Sequence, residues 1–401
     1  MQCAICKGRG MCGKPCPIMQ RFSQFSFQKT EFSGSSPPEI FVGRHNYPNV
    51  NTGILSPPEF GNTEEMSMPE RWHEQNASIQ DIINYRSRMI YSRFKSSVRR
   101  IGWDDKNFQI MQEVAMSSKP TDMEFLLKKK PAMKMHADQE MPIIGNPAPL
   151  KSARFQENPK VEKKVDYLVN DADAKSNTAL NELYKSGIKI SNIIKLLSAG
   201  LLGLKKQRKL VPTRWAITAT DSNISNQLID NIRYYPEING FLLFHSEYIG
   251  NHYEILLLPG EFSYELIEAK MSGSVWNPSS ELCVMQDFET WYGRKDYAEN
   301  CAGGYYVVRL AIAEYLEKIK KQATVLAFRE CRPEYYAPCG VGILRECTRN
   351  AMQGKPEVFS DLNDALNTAQ KRLRLPVNEF AKRSFLLRIK REQQKLTTYL
   401  K

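Results

Sequence analysis

The chain has 401 residues, 42% of them hydrophobic and 25% charged, which excludes a disordered polymer and leaves enough apolar material for a large core in more than one domain. Its formal net charge of +12 favours a polyanionic partner, and nucleic acid is the commonest such partner of a basic protein. There is no run of about 18 apolar residues, and the start, Met1-Gln-Cys-Ala-Ile-Cys6, is not a basic segment followed by an apolar one. The sequence therefore predicts a soluble intracellular protein, cytoplasmic and nucleoid-associated, with no membrane partner.

Residues 1–19 carry Cys3, Cys6, Cys12 and Cys16 in a C-x2-C-x5-C-x3-C spacing, with Gly8, Gly10 and Gly13 between them. Four thiolates on short glycine-rich loops can close a tetrahedral metal shell, and such knuckles fold only with their ion. Zinc is the first choice. An iron–sulfur cluster is the alternative, because Cys12-x3-Cys16-Pro17 is similar to the end of an iron–sulfur ligand run. A disulfide staple would suit the spacing only in a secreted peptide. The other cysteines, Cys283, Cys301, Cys331, Cys339 and Cys347, lack close ligand spacing and are expected to pack as small apolar groups.

Residues 20–164 read as a loop-rich and helical basic region. The Phe-, Ser-, Pro- and Gly-rich stretch from Gln20 to Gly61 is extended or turn-forming chain. Within it, Arg44, His45 and Asn46 lie between two glycines, chemistry that can hold a phosphate. The alternative is an ordered loop packed through Phe41, Tyr47 and Val50. A helix is predicted over Ser78 to Phe94, with Ile79, Ile82, Ile83, Met89, Ile90 and Phe94 on its apolar side. Arg86, Arg88, Arg93, Lys95, Arg99 and Arg100 cluster in its basic part, and Arg86, Arg93, Arg99 and Arg100 are the candidate DNA-binding residues. With no base-reading helix evident, such contacts would go to phosphates without strong sequence preference. The proline-bearing stretch from Lys128 to Lys164 reads as a connection.

Residues 165–358 read as a central α+β domain whose sheet is mostly antiparallel with flanking helices. Asp166 to Leu204 is helical, and Leu210 to Asp221 is a strand leading into a helix capped by Ser222. Two apolar segments around Ile249-Gly-Asn-His252 form a hairpin. With Gly250-Asn251 as the loop, Ile249 pairs with His252, Glu247 with Glu254, and His245 with Leu256. His245, Glu247, His252 and Glu254 then share one face. That face is either a solvated charge row or a site whose like charges need a compensating cation, for which Arg214, Arg294, Lys295, Arg309, Arg329 and Arg332 are available. Further strands at Tyr264 to Ala269 and Ala323 to Phe328, and helices at Gly303 to Lys320 and Gly340 to Gln353, complete the domain.

Residues 359–392 read as two helices, one to about Leu373 and one from Val377 to Lys390. Residues 393–401 read as a flexible tail. There Gln393-x-x-Leu396-x-x-Tyr399-Leu400 resembles the clamp-interacting (PIP) peptide of replication and repair proteins, with Leu400 where a second aromatic is common. In a single 3₁₀ turn Leu396 and Tyr399 would project together as an apolar plug, and Gln393 would reach a polar pocket. A frayed helix end packed on its own domain is the other reading of this stretch.

The cysteine knuckle, Phe41-Val-Gly-Arg44, Val211-Pro-Thr-Arg-Trp215, His245-Ser-Glu-Tyr248, Gly250-Asn-His-Tyr-Glu254, Gly293-Arg-Lys295 and Arg329-Glu-Cys-Arg-Pro-Glu334 together resemble the archaeal Nre DNA repair proteins, of the NreA type with a C-terminal clamp-binding tail. The resemblance spans nearly the entire chain. It implies a role in DNA damage repair with DNA and the sliding clamp (PCNA) as partners, and it assigns no reaction and no catalytic residue. Two functions of different class follow. One is a non-catalytic recruiter that binds DNA and the clamp. The other is a metal-dependent enzyme acting on damaged DNA or a nucleotide-derived group, with His245, Glu247, His252, Glu254, Asp287 and Glu289 as candidate site residues and Asp221 as a further carboxylate.

Overall fold

A computed structural model describes residues 16–25, 27–99, 104–132, 138, 140–277 and 279–392. They divide into two compact units, one holding 16–224 and 337–343, the other 225–336 and 344–392. The units part inside a helix, after Ile224.

The N-terminal unit is built on strands β1 (Glu31–Ser36), β2 (Ile40–Val42), β3 (Asn49–Ser56), β4 (Ile90–Ser97), β5 (Thr121–Leu127) and β6 (Pro147–Phe155), in the order β1-β5-β6-β4-β3-β2. The β4–β6 pair is parallel and the other pairs antiparallel. The C-terminal unit holds β7 (Phe241–Tyr248), β8 (Asn251–Leu258), β9 (Ser263–Lys270), β10 (Cys283–Glu289), β11 (Thr324–Cys331) and β12 (Glu357–Phe359), in the order β10-β9-β11-β8-β7-β12. Here β9 and β11 run parallel. The fold is α+β, but the expected single, mostly antiparallel central sheet is corrected to two mixed six-stranded sheets.

The first sheet escaped the sequence reading because its strands hide behind turn residues. Gly53 sits where β3 and β4 approach so closely that a Cβ would come 2.1 Å from the Ser92 carbonyl oxygen. Pro147 and Pro149 suggested a connection, yet their carbonyls serve as acceptors, from Ala132 N at 3.0 Å and from Lys128 N at 2.7 Å. The helix predicted over Ser78 to Phe94 ends at Arg88, and Ile90 and Phe94 belong to β4. Ser78 and Asp81 form a capping box at its start, and Met89, in extended conformation, ends it. A spacing of four residues fits a helical face and a strand face equally, so periodicity alone did not separate the two.

The strand predicted at Leu210 to Asp221 is instead the first half of a 20-residue helix, Thr213–Ile232. Ile217, Thr218 and Thr220 are β-branched, a composition that fits a strand as well as a helix. Pro212 starts the helix, its carbonyl accepting from Trp215 N at 2.8 Å and Ala216 N at 3.0 Å. The expected helical region after Asp166 forms as Lys163–Asn170, Ser176–Lys185 and Ile190–Ser198.

In the C-terminal unit β8 is buried along its whole length. One face of the sheet packs Leu243, Leu256, Leu326 and Phe328 against Leu366, Phe380 and Leu386 of the C-terminal helices. The opposite face meets helix Gly303–Ile319, where Tyr305 lies 4.8 Å from Tyr264 between ring centroids. The last predicted helix is split into Asn378–Ala381 and Phe385–Glu392. The cause is Glu265 of β9, whose carboxylate accepts from Phe385 N at 2.8 Å and Leu386 N at 3.3 Å, capping the second helix.

Candidate functional site

The β7–β8 hairpin turns at Ile249 and Gly250, both with positive φ (43° and 79°), the signature of a type I′ turn. Gly250 is required as well by space, since a Cβ there would lie 2.5 Å from Tyr335 N. The register therefore differs from the expected one: His245 faces Glu254, and Glu247 faces His252. Glu247 does not face Glu254. Because the slip is by two residues, the four side chains keep their common face, and opposite rather than like groups meet across the strands.

The four are tied into a paired polar layer at one end of the sheet. His252 Nε2 lies 2.9 Å from Glu254 Oε1, and its Nδ1 lies 3.5 Å from Glu247 Oε2. Arg372 donates to both oxygens of Glu254, at 2.8 and 2.9 Å, and to Glu357 at 2.6 Å. Arg332 bridges Glu247 at 2.5 Å and Glu330 at 2.9 Å. The hydrogen bonds to Glu254 hold the Arg372 guanidinium above its usual value. His252, Glu254, Glu330 and Arg332 are buried, whereas His245, Glu247 and Glu357 line the half-exposed rim. Arg332 was among the cations the sequence offered. Arg372 was missed, and its only signal was a basic cluster at the end of a predicted helix.

Asp287 and Glu289 lie on the opposite face of the same sheet, away from the histidines. Asp287 accepts from Cys301 N at 2.7 Å and pairs with Arg294 at 3.2 Å. Glu289 takes a two-pronged contact from Arg309, at 2.9 and 3.1 Å. Burial alone would depress the Arg309 guanidinium, but Glu289 and the Tyr305 phenol beside it outweigh that, so it stays charged. Nearby, Arg329 bonds Glu268 and donates to Asn251 at 2.6 Å. The six candidates thus fall on two faces, each buried carboxylate with its own arginine or backbone donor. Among the described residues no group of three or more His, Cys, Asp or Glu could hold a metal ion. Asp221 is buried in the N-terminal unit.

Burial raises the thiols of Cys301, Cys331 and Cys339 and lifts Cys347 to about 12, the last partly offset by its contact with Ser246. None of these is poised as a thiolate nucleophile at neutral pH. Cys283 is half-buried.

In the N-terminal unit, Arg86 is corrected from a DNA contact to a core cation. It is 1% exposed, donating to the Ile143 carbonyl at 2.9 Å, to Glu39 at 3.1 Å and to the Met66 carbonyl at 3.2 Å. Arg93 is half-buried on β4, opposite Gly53, while Lys95, opposite Asn51, and Arg99 are exposed. Arg93 and Lys95 share a strand face with Asn49 and Asn51. Arg100 lies outside the described residues, as do Cys3, Cys6 and Cys12 of the metal knuckle and Gln393, Leu396, Tyr399 and Leu400 of the tail. Cys16 caps helix Pro17–Gln24, its sulfur accepting from Met19 N at 3.5 Å. No helix among the described residues is long and apolar enough to cross a membrane.

Comparison with known proteins gives a consistent relationship. A family profile described as "Archaeal Nre, N-terminal" matches residues 11–277, and one described as "Archaeal Nre, C-terminal" matches residues 289–399. The chain is 37% identical over 396 residues to the DNA repair protein NreB of Archaeoglobus fulgidus, covering 98% of each chain. It is 36% identical to DNA repair protein NreA of the same organism, covering 93% of this chain and 94% of that one. It is 34% identical to DNA repair protein NreA of Haloferax volcanii, over 92% and 89% of the two chains. No solved structure matches the chain.

Proposed function

We propose that this chain, which belongs to the archaeal Nre family, is a DNA repair protein that binds DNA through its basic N-terminal unit and reaches the sliding clamp (PCNA) through its C-terminal tail. The observation that carries the repair role is relationship along almost the full length to proteins named for DNA repair. The DNA contact is supported by the net charge of +12 and by the exposed cations Lys95 and Arg99 at and just beyond β4. Such contacts act on phosphates, so binding is without strong sequence preference. The tail spacing from Gln393 to Leu400 supports the clamp partnership, and Leu400 in place of an aromatic weakens it without abolishing it. Cys3, Cys6, Cys12 and Cys16 offer a soft four-thiolate set suited to zinc, or to an iron–sulfur cluster.

The experiment uses the full chain, the archaeal clamp and labelled duplex DNA. Removing residues 393–401, or changing Leu396→Ala with Tyr399→Ala, is expected to eliminate clamp binding while DNA affinity and metal content stay as in the wild type. Undiminished clamp binding by either variant would refute the clamp assignment.

A further inference from the structure

The N-terminal unit carries a touching pair of large aromatics on its surface. Tyr47, in the turn between β2 and β3, is 50% exposed, and Trp215, in the first turn of helix Thr213–Ile232, is 46% exposed. Their ring centroids are 5.5 Å apart with the planes tilted by 51°. Single exposed aromatics are ordinary on a protein surface, but two in contact, each about half exposed among the described residues, present a wide apolar face to water. Hydrogen bonds hold the supporting backbone in place. Val42 N donates to Thr213 Oγ1 at 2.9 Å, and Val98 N donates to the Pro48 carbonyl at 2.8 Å.

The same connections gather positive charge around the pair. Arg99 follows Val98, and Leu210 N donates to the Val98 carbonyl at 3.0 Å, which brings Lys209 alongside. Arg44 enters the Tyr47 turn, 42% exposed although within 3.7 Å of Asp138. Lys95, also exposed, lies on β4 two residues before Ser97, the partner of Asn49 at the end of that turn. An apolar ring surface framed by exposed cations complements one chemistry in particular: a nucleobase, whose face is apolar and polarisable, on a chain of phosphates.

We propose that Tyr47 and Trp215 form a stacking platform for an unpaired DNA base, with the phosphates on either side held by Arg44, Lys95, Arg99 and Lys209. This rests on the DNA-binding reading above and specifies it. The DNA bound best contains an unpaired nucleotide, as at a gap, a flap or a single-stranded tract, because in an intact duplex both faces of each base are already stacked. A protein partner on the same platform is the competing occupant, and the phosphate-matching charge favours DNA.

The test compares a single strand, a gapped duplex and an intact duplex of equal length, each labelled, with wild type, the Tyr47→Ala/Trp215→Ala double variant and Trp215→Phe. The double variant is expected to lose about 5- to 150-fold in affinity for the single strand and the gapped duplex, the equivalent of one stacked base. It should bind intact duplex nearly as wild type does, and Trp215→Phe should keep most of the affinity because it keeps a ring. Equal loss on all three DNAs overturns the platform, since stacking cannot act on paired bases. Undiminished single-strand affinity in the double variant overturns it as well and points to a protein occupant, while duplex binding by the wild type leaves the DNA-binding reading standing. A wild type that binds none of the three overturns that reading itself.

Discussion

Replacing Glu254 by Gln probes the polar layer of the C-terminal sheet directly. Glu254 is 0% exposed and accepts from Arg372 at 2.8 and 2.9 Å, with His252 Nε2 at 2.9 Å. A glutamine amide keeps one acceptor oxygen but turns an N–H₂ toward a guanidinium that can only donate, so at least one charge-assisted bond is lost, roughly 1.5–3 kcal/mol. Arg372 retains Glu357 at 2.6 Å and is 23% exposed, so water offsets part of the loss. The expected destabilisation is about 2 kcal/mol, read as a lowered midpoint of urea unfolding at unchanged slope. The Arg372→Met variant and the double variant close a cycle whose coupling is expected to be about 2 kcal/mol. With the register expected from sequence, in which Glu254 faces Glu247, the same substitution would relieve repulsion and raise stability. An unchanged or raised midpoint would therefore refute the pairing described here.

Other outcomes follow from individual positions. Arg86→Met strands two carbonyls in the N-terminal core and removes one of the two cations on Glu39, which keeps Lys195 at 2.9 Å; it should cost about 2 kcal/mol of stability and leave DNA affinity of the folded protein within error of wild type. Ile249 holds φ 43°, a conformation that costs a β-branched residue about 1 kcal/mol or more. Ile249→Asn should accordingly raise the thermal midpoint, and a fall would show that packing of the isoleucine outweighs the turn. Elemental analysis should find one zinc, or one iron–sulfur cluster, per chain, with the content abolished in Cys6→Ser; thiolate ligation supplies roughly 10–16 kcal/mol in zinc-finger peptides, and a brown protein containing iron would select the cluster over zinc.

How much was legible in the sequence differed between the units for physical reasons. In the C-terminal unit, apolar strands bounded by clear turns gave β8, β9, β11 and the helix Gly303–Ile319 at nearly their observed limits. Hairpin register depends on which two residues accept positive φ, and an isoleucine in that role runs against steric preference, so the turn was placed one residue late. The shared face of His245, Glu247, His252 and Glu254 survived because side-chain alternation is insensitive to a slip of two. What could not be read was the third dimension: that Asp287 and Glu289 point to the other face, and that Arg372 comes from the C-terminal region to neutralise Glu254. In the N-terminal unit, β1, β3 and β6 are rich in Ser, Gly, Asn or Pro and lack the apolar alternation that marks a sheet, whereas β5 shows it in Met123, Phe125 and Leu127. Arg86 belonged to a visible basic cluster, and only packing tells that it faces the core carboxylate Glu39 rather than solvent.

The proposed binding of DNA by the N-terminal unit through phosphate contacts is tested most directly by the salt dependence of affinity. Titrating labelled duplex at increasing salt should give a steep fall of log K against log [salt], with slope about −0.9 for each phosphate contacted. The Lys95→Ala/Arg99→Ala variant should bind more weakly at every sequence tried, with its slope shallower by roughly 2. An affinity insensitive to salt, or a variant slope equal to that of wild type, would contradict the account.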